Sequence, residues 1–197
     1  PPKPSSAASD VYKRQELSGA ALQLYAMGIE PFTFDWIDPP DTALLQEAVL
    51  HLAELGAIET PKGDGGVRLT PLGQKLALFP LAPTYARLMV AAAERGPRVA
   101  RQARDLVSLL TADRGVFVES NDAEKREAAE QARDAFFDAS GDHATMLNAL
   151  SAYLAASERA HATHSTPLAA RHELRLWCQT HSLHAVSYTH LTLPTKA

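Results

Sequence analysis

Apolar residues recur along this chain at two periods, and glycine and proline punctuate the runs. Leu17, Ala21, Leu22, Leu24, Tyr25 and Ile29 fall at helical spacing, and Gly28 with Pro31 marks the end of that helix. Asp38-Pro-Pro-Asp then reads as a helix start with Asp41 as N-cap. Leu44, Leu45, Ala48, Val49, Leu52 and Leu55 form its buried stripe, and Gly56 closes it. Two short β-prone runs, 57–60 and 67–70, flank Pro61-Lys-Gly-Asp-Gly-Gly and predict a hairpin. Helix, helix, hairpin is the order of a winged helix. Leu72, Leu76 and Phe79 begin a further helical stripe that Pro80 interrupts. Beyond Pro83 the pattern is helical almost throughout: 85–93, 99–110, 122–137, 143–156 and 169–181. The joints are Gly96-Pro97, Asp113-Arg-Gly, Ser140-Gly-Asp and the polar segment 160–167. Short joints between successive helices predict an antiparallel helical bundle. No stretch repeats with the period of a solenoid. The fold class expected is therefore mainly α.

The two ends do not belong to this pattern. Asp10-Val-Tyr-Lys-Arg-Gln back-translates to an oligonucleotide whose reverse complement, in another frame, encodes Val186-Ser-Tyr-Thr-His. A DNA adapter joined to both ends of a fragment produces that coincidence, and a protein has no reason to. Residues 1–15 and 186–197 are accordingly expected to be non-native tails, and the natural part to be a piece of a longer gene. That leaves two expected domains, a winged helix over 16–75 and a helical bundle over 76–185.

Composition narrows the class. A chain of 197 residues that is 46% hydrophobic has enough apolar side chain to bury one or two cores. No apolar run approaches the roughly 20 residues that cross a bilayer, so no membrane association is expected. The single cysteine, Cys178, excludes an internal disulfide and fits a reducing compartment, nucleus or cytoplasm. Net charge is −4, unevenly spread: 16–75 holds three bases (Lys62, Arg68, Lys75) against nine acids, whereas 76–185 holds twelve bases against thirteen. A domain that grips nucleic acid unaided shows a basic stripe, because phosphate contacts supply most of the affinity. The helix over 42–55 has no Lys or Arg, carries Glu47 and Glu54, and offers only Gln46 and His51 to a base edge. This argues against a DNA-reading regulator and for a packed scaffold.

Five short motifs occur in a fixed order: FDWIDPP at 34–40, LAELGAIE at 52–59, LTPLGQKLALFPLAP at 69–83, GDHATMLN at 141–148, and Trp177-Cys178. Together they resemble the C-terminal accessory region of DEAH-box RNA helicases, in which a winged helix leads into a helical "ratchet" or helicase-associated domain. The resemblance covers the chain from Leu17 to about Leu183. It implies an accessory fragment of an ATP-dependent RNA helicase that moves along single-stranded RNA from 3′ to 5′. The fragment would help form the RNA channel and couple it to upstream RecA-like motor domains, where ATP and magnesium act. The winged helix of such proteins can also receive G-patch activator proteins. The chain itself has no Gly-x-x-x-x-Gly-Lys-Ser/Thr cradle and no Asp-Glu-x-His, so no nucleotide, metal or other cofactor is expected in it. The alternative is a stand-alone winged-helix adaptor that binds a basic protein through its acidic surface.

The resemblance also singles out residues. Arg133, in Ala-Arg-Asp-Ala-Phe-Phe just before Gly-Asp-His, matches a basic position near the RNA channel. Thr111 stands where the family commonly has a serine in a loop facing RNA, and a hydroxyl can serve a phosphate in either case. Lys125 and Arg126 join them as RNA-binding candidates on the same predicted helix, although Glu124, Glu127, Glu130 and Asp134 there equally suit i,i+4 pairing. Arg98, Arg101 and Arg104 read as a solvated face opposite Val99, Ala103, Leu106 and Leu110. Asp142 is expected to cap the helix that follows it, with His143 packed locally. His161, His164, His172, His181 and His184 match no tetrahedral metal spacing, and no nucleophile elbow is present.

Overall fold

A computed structural model describes residues 17–59, 66–112, 115–119 and 121–185, Lys125 by its backbone alone. Both tails expected to be non-native, most of the hairpin tip at 61–66, and Asp113, Arg114 and Ser120 lie outside the described residues. The described elements are α1 (residues 17–26), α2 (Thr42–Glu54), β1 (Ile58–Glu59), β2 (Arg68–Leu69), α3 (Pro71–Ala77), α4 (Pro83–Glu94), α5 (Pro97–Leu110), α6 (Ala123–Asp134), α7 (Asp142–Thr163) and α8 (Pro167–Thr180). The protein is thus mainly helical with one small antiparallel sheet. It divides into two compact units between Ala100 and Arg101.

In the first unit the helix ends form where the sequence carries capping chemistry. Helix α1 stops at Gly28, whose φ of 74° only glycine adopts cheaply; Gly28 N–H reaches Tyr25 O at 3.0 Å and Ile29 N–H reaches Leu24 O at 2.9 Å. Helix α2 starts on Asp41, whose carboxylate accepts from Ala43 N at 2.7 Å and Leu44 N at 3.4 Å. It ends as α1 does, at Gly56 (φ 73°), with Gly56 N–H on Ala53 O and Ala57 N–H on Leu52 O, each 2.9 Å. Strands β1 and β2 pair Ile58 with Leu69 and Glu59 with Arg68.

The Thr70-Pro-Leu-Gly73 motif joins the sheet to α3 through three separate contacts. Thr70 Oγ accepts from Gly73 N at 2.9 Å as the N-cap and donates back to Gly56 O at 2.7 Å, while Pro71 occupies the first helical turn. Gly73 faces the Ala57 backbone so closely that an added Cβ would sit 2.0 Å from Ala57 O. Around these joints Ala21, Leu22, Tyr25, Leu45, Leu52, Ala57, Ile58, Leu76 and Ala86 form the core, with Phe79 and Val90 packed on it. The first unit's core therefore draws side chains from α3 and α4, past residue 75. Helix α2 buries Leu45, Ala48 and Leu52, the inner half of its expected stripe.

The second unit centres on α7 and α8. Ala149, Tyr153, Ala156 and Ala160 make one stripe, and Ala170, Leu174 and Cys178 another at four-residue spacing. Small residues on both sides let the two helices approach closely. The structure corrects the sequence reading here: α7 continues to Thr163, and the joint shrinks to 164–166. The reason is that Ala160 is fully buried and extends the apolar stripe by another turn, so the polar residues beside it are only the helix's outer face. Thr166 caps α8 and Pro167 begins it. Helix α6 is shorter than expected; it ends at Asp134, leaving Phe136 buried in the turn beyond and Phe137 exposed. Among the described residues no helix is long and apolar enough to cross a membrane.

Candidate nucleic-acid interface

The candidate residues all lie in the second unit, at the α5–α6 connection and along α6. Helix α5 buries Ala103, Val107 and Leu109, leaves Leu106 and Leu110 half-buried and Val99 exposed, and delivers Thr111 at its C-terminal end. Thr111 is exposed, but its hydroxyl donates to Val107 O at 2.8 Å and its N–H to the same carbonyl at 2.9 Å. Contact with a phosphate thus requires the hydroxyl to turn away from Val107. Arg101 and Arg104 are exposed on the same helix, and Arg104 is paired with Asp105 at 2.6 Å.

Residues 115–119 lead from α5 toward α6 and form a strand-like contact with the segment after α8. Phe117 lies opposite Leu183 as an antiparallel bridge; Val118 N–H donates to Ser182 O at 2.8 Å and His184 N–H to Val116 O at 3.0 Å. Ser182 takes a φ of 52°, the one left-handed non-glycine position among the described residues.

Helix α6 brings Arg126 and Arg133 to one side, since seven residues make nearly two full turns. Their surroundings differ. Arg126 is exposed, and its guanidinium has no partner among the described residues. Arg133 is half-buried: Nη2 donates to Val118 O at 3.0 Å, the guanidinium carbon lies 4.9 Å from the Phe117 ring centroid, and Nε is shielded from solvent with no partner among the described residues. Lys125 is on the same helix, between Glu124 and Arg126.

The bend between α6 and α7 differs from expectation at one residue. Asp142 does not cap α7; it is the first helical residue, and Gly141, at φ 122°, is the N-cap with no side-chain bond. A side chain at position 141 would be strained in that backbone, so the capping chemistry falls elsewhere. Thr145 Oγ accepts from Asp138 N at 3.1 Å and donates to Gly141 O at 3.3 Å, and Asn148 Nδ2 donates to Phe136 O at 3.2 Å. Asp138 Oδ1 accepts from Ser140 N at 2.8 Å, and these donors hold its carboxyl below the usual carboxylate range. His143 is exposed, with no hydrogen-bond partner among the described residues.

The histidines have assorted local roles. His164 meets Glu173 at 2.6 Å across the α7–α8 joint, and His181 stacks on Trp177 with centroids 4.1 Å apart. Among the described residues no group of three or more His, Cys, Asp or Glu is placed to hold a metal. In the first unit, His51 of α2 is tied to Thr84 of α4 at 3.0 Å, so one of the two polar readers on that helix is already engaged.

The fold and the order of its parts define a class: a winged helix followed by a helical bundle of the ratchet kind. The family model for the helicase-associated (HA2) winged-helix domain matches residues 48–81, and that for the HA2 ratchet-like domain matches 82–146, without a gap between them. The chain belongs to the C-terminal accessory region of the DEAH-box RNA helicases. It is 38% identical over 141 residues to the ATP-dependent RNA helicase DHX33 of Drosophila melanogaster, an alignment covering 72% of this chain and 19% of that protein. It is 34% identical over 137 residues to human DHX33, covering 69% and 18%. It is 33% identical over 137 residues to the pre-mRNA-splicing factor ATP-dependent RNA helicase prp22 of Schizosaccharomyces pombe, covering 69% and 11%. The chain therefore spans less than a fifth of the length of these relatives.

The contact among Arg133, Phe117 and Val118 was not foreseen from sequence. The signal available for it is Val116-Phe-Val118, a β-prone run between two helical patterns, which has no role in a pure bundle.

Proposed function

We propose that this chain is the accessory part of an ATP-dependent RNA helicase translocating 3′ to 5′ on single-stranded RNA, where it helps form the RNA channel and couples it to RecA-like motor domains. The observation that carries the reading is the unbroken succession of the HA2 winged-helix and ratchet-like matches over residues 48–146. In this reading Thr111, Lys125 and Arg126 touch the RNA backbone, and Arg133 shapes the path from within the fold. A channel wall needs rigidity and a few hydroxyl and cationic contacts more than tight binding, which suits the nearly balanced charge of residues 76–185. ATP and magnesium belong to the motor domains; the residues of this chain supply no phosphate cradle for them. A G-patch-type activator is the protein partner proposed for the winged helix, and the nucleus or cytoplasm the compartment.

The test is the gene itself, sequenced outward past codons 16 and 185. In-frame Gly-x-x-x-x-Gly-Lys-Ser/Thr and Asp-Glu-x-His motifs upstream are expected. A start codon immediately upstream would overturn the reading and favour the stand-alone adaptor.

A further inference from the structure

We propose that Arg133 is a positioning residue: it pins the 115–119 segment, which pairs with residues 182–184, instead of gripping RNA itself. This rests on the RNA-channel reading above for its consequence, though not for its geometry.

The geometry is specific. A guanidinium that binds phosphate as a fork presents two adjacent N–H groups on one edge. In Arg133 the edge that carries Nε and Nη2 is turned inward: Nη2 is spent on Val118 O and Nε is sealed from solvent. The central carbon of the group lies over the Phe117 ring, 4.9 Å from its centroid. Phe117 and Val118 are the residues whose backbones pair with Leu183 and Ser182. One side chain on α6 therefore holds a strand whose other partner follows α8, so three segments distant in sequence are linked in succession through residues 116–118. Arg126, on the same side of α6, is exposed, and its donors have no partner among the described residues. The helix thus presents one arginine to solvent and spends the other on the fold.

Lysine separates the two roles, because it keeps the charge but has neither the fork nor the flat face. The experiment follows amide hydrogen exchange at Val118 and His184 in the full 197-residue chain. Alongside it, the affinity for an oligouridylate is titrated over a range of salt. Arg133→Ala and Arg133→Lys are both expected to speed exchange at those two amides by about tenfold or more, while Leu150 in α7 keeps its protection. Neither should change the salt slope, whereas Arg126→Ala should lower it by about 0.7. If Arg133→Ala loosens the whole unit, Leu150 reports it; Phe117→Leu, which removes only the ring, must then reproduce the local acceleration. Unchanged exchange in the Arg133 variants overturns the proposal. So does a lysine that restores wild-type behaviour while alanine lowers the salt slope. Absence of any RNA binding by the wild-type chain would count against the channel reading alone, and the exchange data would still decide the pin.

Discussion

At the scale of single residues, small side chains decide the first unit. Gly73 is glycine because α3 runs into the Ala57 carbonyl, and Thr70 is threonine because one hydroxyl both caps α3 and ties it to Gly56. Gly73→Ala should destabilise the protein by about 1–3 kcal/mol, since the obstacle is backbone and cannot rotate away; an unshifted denaturant midpoint would show that α3 can slide. Buried Cys178 behaves as a core residue: burial pushes its thiol up to about 11, so it stays protonated and unreactive at neutral pH. The caps at Asp41, Gly28 and Gly56 were legible in the sequence because capping is local chemistry. The pin formed by Arg133 was not, because it joins positions 118 and 133 to a strand partner beyond 180, and no local pattern records such a contact.

At the scale of elements, helix existence followed from period and helix length from packing. Helix α7 outran its apparent polar end because one buried alanine, Ala160, kept it against α8. The α6–α7 bend is set by hydrogen bonds to Asp138, Thr145 and Asn148 in place of the anticipated Asp142 cap. That bend has a pH consequence. The folded state holds the Asp138 carboxyl below its unfolded value of about 3.9. Its stabilisation is therefore fully present above that value and lost as pH falls through the lower folded one. A carbon-detected titration of Asp138 should show a midpoint under the ordinary carboxylate range, and Asp138→Asn should abolish the accompanying shift at Ser140 N–H. A midpoint at the ordinary value would mean that these bonds do not persist in solution.

At the scale of the whole molecule, the order winged helix then ratchet bundle was legible because its motifs are local and follow one another in sequence. The placement of the candidate residues was only partly so. Thr111 falls at the end of α5 and Lys125 and Arg126 on α6, but nothing in their spacing announced that Arg133 on the same helix bonds the Val118 carbonyl. An acidic stretch over 16–75 and a nearly balanced one over 76–185 fit a part that shapes a path for RNA while other domains supply the grip. The most direct measurement is photo-crosslinking of a 4-thiouridine-containing single-stranded RNA to the chain at low salt, with the adducts mapped by mass spectrometry. Adducts confined to residues 111–126 are predicted, with none on α2. Adducts centred on α2, or none on the second unit, would contradict the RNA-facing role assigned to it.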